Sequence, residues 1–195
     1  MLCSASALII LIGYHVLLQR KEQAAARSGN NEETSWRVRQ AATRVAWSNF
    51  VRSTEGWLYA IQTLRNAITA NTFLATTVLT LLTVVSGKLW KSSNGLFIRI
   101  QKRFQFASVA LCMLLSAFEF LQSARLMTHA GFMFPVVPKD QDVSDIMRKS
   151  SVAQWLGLRW LYSSVAMIVW TVAESAVPFL VVAIALTLFF RRIDQ

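Results

Sequence analysis

The chain has 195 residues, 54% of them hydrophobic and only 15% charged, with a mean hydropathy of +0.42. A soluble domain carries about a quarter charged residues, so the composition argues against a soluble enzyme or a soluble binding module. The net charge of +10 comes without a zinc finger, an RNA-binding signature or a Gly-rich phosphate loop, which removes nucleic acid as an expected partner.

Four apolar blocks follow one another, at residues 2–18, 68–86, 104–121 and 152–190. Runs of about eighteen apolar residues or more read as membrane spans. The expected class is therefore all-α: one integral membrane helical bundle covering residues 1–195, multi-pass, in a membrane the sequence does not identify. The basic residues flank the apolar runs, as phosphate-facing anchors and topology signals do. Cys3 and Cys112 both fall in apolar blocks without ligand spacing, and read as small hydrophobes.

Residues 1–18 lack the basic start and the small-x-small cleavage site of a signal peptide. They are expected to form an uncleaved first span with its N-terminus on the non-cytoplasmic side, followed by Arg20 and Lys21. Residues 28–33 (Ser-Gly-Asn-Asn-Glu-Glu) mark a polar turn. Thr34 or Ser35 is placed to cap a helix starting at Trp36. Over residues 36–53, Val38, Ala42, Val45 and Asn49 step by four, three and four, Arg37 and Arg44 lie a heptad apart, and Trp47 and Phe50 add aromatic weight. A basic amphipathic helix in the headgroup layer fits this pattern; a helix packed on a partner protein is the competing reading.

The second block has the clearest internal periodicity. Thr69, Thr72, Thr76, Thr80 and Thr83 recur at three, four, four and three, one helical face. Small hydroxyl residues on one stripe favour close helix packing, with a polar permeation stripe as the alternative. Residues 87–103 form a basic connection with a turn at Ser92-Ser93-Asn94-Gly95. The third block ends in Glu119, Gln122, Arg125, Leu126 and His129 on one broad arc. Residues 131–138, apolar and punctuated by Pro, are expected to fold back on the bundle. Asp140, Asp142 and Asp145 then precede Arg148 and Lys149.

The last block, residues 152–190, would reach roughly 58 Å as a single helix at about 1.5 Å per residue, against a bilayer core of about 30 Å. Ala173-Glu174-Ser175-Ala176-Val177-Pro178 interrupts it. Either it is split into a hairpin, giving five spans at about 2–18, 68–86, 104–121, 152–173 and 176–190, or it is one long kinked helix, giving four. With the N-terminus outside, five spans place fifteen Lys/Arg inside and five outside, while four place thirteen and seven. The positive-inside rule favours five.

Polar groups sit at alternating ends of successive blocks. His15 closes the first. Gln62, Arg65 and Asn66 open the second, Gln122, Ser123, Arg125 and His129 close the third, and Arg159 opens the fourth. A chain that reverses at each crossing brings all of them to one membrane face. Arg65, Arg125 and Arg159 offer forked donors suited to phosphate or carboxylate. The neutral groups would orient them, and the two His residues would titrate near neutrality. A pocket for an anionic headgroup or small anion has this composition, and so do independently snorkelling anchors.

Catalysis has little support. Glu119 is a lone acid inside an apolar block, where such groups pair or line polar cavities; a neutral or Arg-paired carboxyl holding helices together is the simpler reading. No nucleophile–base motif is present and no metal-ligand spacing. No catalytic residue, metal or cofactor is expected.

Ala60-Ile61-Gln62-Thr63-Leu64-Arg65-Asn66, followed by Thr72-Phe73-Leu74-Ala75, resembles the signature of the membrane family called domain of unknown function 599. Tyr14-His15, Gln122-Ser123-Ala124-Arg125 with His129 and Phe132, and Gly157-Leu158-Arg159 are similar to further motifs of that family, so the resemblance covers essentially the whole chain. It implies a multi-span membrane protein of a kind found in bacteria and plants, with no established activity, substrate or cofactor, and carries no catalytic role over. The chain departs from the family at Glu119, where the pattern is usually uncharged, and at residues 173–176, where relatives often show Gly-Pro. The expected role is non-enzymatic, with membrane lipids as partners. A small transporter, or an accessory subunit meeting other membrane proteins, is the alternative.

Overall fold

The computed structural model describes residues 2–28, 36–89, 96–136, 143–173 and 176–194. They form six helices and, among the described residues, no strand: α1 (Leu2–Ser28), α2 (Trp36–Ser53), α3 (Trp57–Leu89), α4 (Leu96–Val136), α5 (Ser144–Val172) and α6 (Val177–Asp194). The all-helical class is as expected. The proposed caps Thr34 and Ser35, the Ser92–Gly95 turn, Asp140, Asp142 and Glu174 lie outside the described residues.

Two stretches among the described residues are long and apolar enough to cross a membrane: Trp57–Gly87, 31 residues of α3, and Lys102–Pro135, 34 residues of α4. The apolar part of α1, Ser6–Arg20, is shorter. On length and apolarity two of the described helices qualify, which leaves the expected four or five spans unconfirmed.

The helices group into two compact units. One comprises Met1–Trp36, Leu82–Met113 and Trp160–Gln195; the other comprises Arg37–Leu81 and Leu114–Arg159.

In the first unit the last apolar block is divided, as its central polar residues and Pro178 predict. Trp170 stacks on Phe179 with ring centroids 5.1 Å apart, and Tyr162 meets Phe189 and Phe190 at 5.7 and 5.9 Å. Those pairings make α5 and α6 an antiparallel hairpin. The end of α5 leaves carbonyls that no further turn can bond. Lys102 Nζ donates to the Thr171 carbonyl at 2.8 Å and Gln105 Nε2 to the Trp170 carbonyl at 3.0 Å, both from α4. A cation there also suits the negative end of the helix dipole. Pro178 sits in the first turn of α6, where its missing N–H has no intrahelical partner to lose. Helix α1 pairs with α6: Tyr14 donates to Asp194 Oδ2 at 2.5 Å and its ring stacks on buried Phe190.

In the second unit, Val51, Leu64, Met127, Phe134, Val143 and Met147 form the buried core. Helix α2 has the bounds expected for the amphipathic segment. It stops in a left-handed cap: Glu55 has φ 56° and the Gly56 N–H bonds the Val51 carbonyl at 3.1 Å, the six-to-one bond of a Schellman motif. Helices α4 and α5 meet along a seam of small polar residues. Ser116 Oγ donates to the Gly157 carbonyl at 2.8 Å and Ser123 Oγ to the Ser150 carbonyl at 2.9 Å. The contacts are seven residues apart on each helix and run in opposite senses, so the two helices are antiparallel and close.

One expectation is corrected. Residues 131–136 do not fold back; α4 continues through them to Val136, with Pro135 in its last turn. Proline there removes the hydrogen bond to the Gly131 carbonyl one turn back, and the helix ends one residue later.

Candidate functional site

Helix α2 packs on a different face from the one its apolar residues suggest. Val38, Ala42 and Asn49 are exposed and Val45 is half-buried, whereas Ala41, Ser48 and Val51 are buried. Arg37 and Arg44 fall on the same three-and-four stripe as these buried residues. The packed face of α2 is thus small, polar and cationic, and Trp47 fixes its rotation by meeting Phe134 edge-on at 6.1 Å.

Two adjacent residues of α5 receive that face. Arg44 Nη2 donates to Gln154 Oε1. The Arg37 guanidinium carbon lies 4.6 Å from the centroid of the Trp155 ring, and that of Arg159, only 5% exposed, lies 4.6 Å from the same centroid. Guanidinium groups favour such aromatic faces. Three cations therefore converge on Gln154 and Trp155. Burial lowers the Arg44 pKa from its ordinary value, and Nη1 of the same side chain is buried without a hydrogen-bond partner.

Three cavities lie within this unit. One, an open groove of 320 Å³, is lined by residues of all four helices, among them Thr43, Arg44, Thr63, Leu64, Met127 and Met147. A groove of 460 Å³ between α3 and α4 is lined by Ile61, Arg65, Ile68, Met127, Phe132 and Pro135 among others. A third, of 410 Å³ between α4 and α5, takes in Glu119, Gln122, Arg148 and Lys149. Among the described residues, no group of three or more His, Cys, Asp or Glu side chains is arranged to hold a metal ion.

The residues chosen from the sequence are spread over these places. Gln62, Arg65 and Asn66 are exposed on α3, and Arg65 lines the α3–α4 groove. Arg125 and His129 are exposed on α4. Gln122 is half-buried in the α4–α5 groove beside Glu119. Ser123 is spent on the Ser150 carbonyl, and Arg159 is buried against Trp155. His15 belongs to the first unit, with its ring 5.5 Å from Tyr14 and 5.7 Å from Phe190.

The threonine stripe also differs from its expected place. Thr69, Thr72, Thr76, Thr80 and Thr83 are exposed, and α3 packs instead through Ala60, Leu64, Asn71, Ala75 and Val78. Thr72, Thr76 and Thr80 donate to the carbonyls of Ile68, Thr72 and Thr76, one turn back on their own helix. Hydroxyls satisfied in this way tolerate an apolar surrounding.

Arg37, Arg44, Gln154 and Trp155 were not selected from the sequence as site residues. The heptad spacing of the two arginines was visible, but a basic helix ordinarily turns such residues to water. The signal that would have found them is the match of that spacing to the buried small residues Ala41 and Ser48.

The sequence matches, over residues 2–195, a family described as protein of unknown function, DUF599. Neither a curated protein nor a solved structure matches the chain.

Proposed function

We propose that this chain, which belongs to the DUF599 family of proteins of unknown function, is a multi-pass membrane protein that binds anionic lipid through Arg65, without enzymatic activity. The membrane reading is supported by the two long apolar helices and by the apolar surface the bundle leaves uncovered. Phe73 is 68% exposed and Phe132 72% exposed. Contiguous apolar surface of this kind needs lipid or protein against it.

The observation that carries the lipid reading is the α3–α4 groove. Of the ten residues that line it, Arg65 is the one that bears a charge. An acyl chain lies against Ile61, Ile68 and Phe132, and the headgroup phosphate meets the guanidinium, whose planar fork suits it. Arg159 and Ser123 are left out of this contact, since both are engaged in packing. Arg125 adds positive charge to the exposed side of α4, which raises the local concentration of anionic headgroups.

The test is native mass spectrometry of protein released from bilayers of mixed phosphatidylglycerol and phosphatidylcholine. The wild type should retain the anionic lipid preferentially. Arg65→Gln should lose that preference, and Arg191→Gln, on α6, should keep it. Equal losses would show that Arg65 is one anchor among many.

A second reading, an accessory subunit of a larger membrane complex, draws on the exposed threonine stripe of α3. There small residues offer a helix of another chain a close approach.

A further inference from the structure

Glu119 stands midway along the apolar stretch of α4, half-buried, and lines the groove between α4 and α5. It makes no hydrogen bond and no ion pair among the described residues; the ion pairs of this unit there are those of Asp145 with Arg148 and Lys149. Gln122, one turn along the same groove, also makes no hydrogen bond among the described residues. The acid is therefore not the helix-to-helix clamp that its place in the sequence suggests. An acid within an apolar span is costly, and it marks a place where a polar partner is expected.

The serine seam fixes the register of this groove. Ser116 is level with Gly157 and Ser123 with Ser150, so on the antiparallel pair Glu119 is level with Gln154, and Arg148 and Lys149 are level with residues 124–125. The basic pair and the acid are thus five to six residues apart, roughly 8 Å along the axis at about 1.5 Å per residue. From its basic end inward the groove presents two cations, the amide of Gln122, the carboxyl of Glu119, and then apolar Phe118 and Leu156. The side chains of Arg148 and Lys149 are 65% and 64% exposed, and each meets Asp145 at 2.6 Å. The three charges leave a net positive one, and both cations keep further N–H donors for an anion.

We propose that this groove binds a monoacyl glycerophospholipid, with its phosphate on Arg148 and Lys149, its free glycerol hydroxyl donating to Glu119 beside Gln122, and its one acyl chain over Phe118 and Leu156. The order of chemistry along the groove is the order along that molecule. The stretch from phosphate to glycerol hydroxyl, with a hydrogen bond of about 2.8 Å at each end, spans a separation of this order. A diacyl lipid carries an ester in place of the free hydroxyl, and an ester sets only acceptors against a carboxylate. A fatty acid has a head for the basic pair and no donor at the depth of Glu119. The groove shares no lining residue with the groove of Arg65, so it stands apart from the lipid contact proposed there.

The full chain, held in an amphipathic polymer free of detergent micelles, is titrated calorimetrically with four soluble probes: octanoyl lysophosphatidate, its analogue without the glycerol hydroxyl, dioctanoyl phosphatidate and glycerol phosphate. Octanoyl lysophosphatidate should bind saturably at one site. The analogue and the diacyl lipid should bind at least about tenfold more weakly, the loss expected for one charge-assisted hydrogen bond. Glycerol phosphate, without a chain to lie on Phe118 and Leu156, should be weaker than lysophosphatidate by at least as much. Glu119→Leu should bring lysophosphatidate down to the level of the analogue and leave the analogue unchanged. Replacing Arg148 and Lys149 together by Gln should weaken both alike. The comparison of probes on the wild type keeps the test open if a variant fails to fold. Arg65→Gln should leave lysophosphatidate binding intact, so failure of the Arg65 reading and failure of this one are distinguishable. Analogue, diacyl lipid or glycerol phosphate binding as tightly as lysophosphatidate, or an undiminished preference for the hydroxyl in Glu119→Leu, would each overturn the proposal.

Discussion

Gly157 faces Phe120 so closely that a Cβ on the glycine would stand 2.9 Å from two carbons of the ring. Phe120 is fully buried. The same glycine presents its carbonyl to Ser116, so the close approach of α4 and α5 and the hydrogen bond across them depend on one position. Gly157→Ala should therefore destabilise the protein by about 1–3 kcal/mol, the usual range for an overpacked core. Adding Phe120→Leu should recover part of the loss, since neighbouring sites are not additive. Thermal unfolding of the single and double variants in detergent measures both effects. A double variant no more stable than Gly157→Ala alone would locate the strain elsewhere.

The end of α2 makes the opposite prediction. Glu55 holds a left-handed conformation, φ 56°, at the position a Schellman cap usually gives to glycine. That conformation costs a residue with a Cβ about 1–2 kcal/mol, and glycine returns part of this through its own freedom when unfolded. Glu55→Gly should stabilise the protein by about 0.5–1 kcal/mol, read as a higher unfolding temperature. Glu55→Val should destabilise it, because a β-branched side chain suits that φ least.

These two positions show what a linear sequence carries well and badly. The polar run after Ser28 and the interruption at Ala173–Pro178 divide helices because backbone chemistry is local, and α2 and the α5–α6 hairpin follow those marks. The rotation of a helix about its axis is not local. Arg65, Arg125 and Arg159 stand at alternating ends of apolar blocks, but those ends lie inside longer helices, and about 100° separates the directions of successive side chains on a helix. Arg65 thus lines a groove, Arg125 is exposed and Arg159 is buried against Trp155. The face of α2 was misjudged for the same reason. The aromatic contacts of Trp47 and Trp155, made with residues far along the chain, outweigh the preference of Val38 and Ala42 for burial.

Asp145 gives a pH dependence of known sign. Hydrogen bonds from Lys149 and then Arg148 at 2.6 Å, on the first turns of α5, hold its carboxyl below the ordinary carboxylate range. A group whose folded pKa is depressed contributes its stability above the unfolded pKa and loses it as pH falls through the folded value. The contribution is small, because the carboxyl and its partners are solvent-exposed. Asp145→Asn should unfold earlier than the wild type at neutral pH, with the gap closing as the pH falls below the carboxylate range. Salt should narrow the gap at neutral pH as well. A gap that persists in acid would assign the effect to the helix terminus and not to the charges.

Membrane topology can be tested through the hairpin. With the N-terminus outside, five crossings put the α5–α6 connection outside and the C-terminus inside, whereas four crossings leave the C-terminus outside. The pairing of Trp170 with Phe179 and of Tyr162 with Phe189 reverses the chain between α5 and α6. In helix α6, residues 177–190 ahead of Arg191 rise roughly 21 Å at about 1.5 Å per residue, less than the bilayer core of about 30 Å, so a crossing there draws on local thinning of the bilayer. Arg191 and Arg192 end it and belong on the positive side. A green fluorescent protein fused to the C-terminus should therefore fluoresce in bacterial cytoplasm, while a cysteine placed at Ala173 should react with an impermeant maleimide from outside. A dark fusion together with an unlabelled Ala173→Cys would mean that the last apolar block crosses once without reversing, and the count of crossings would fall to four.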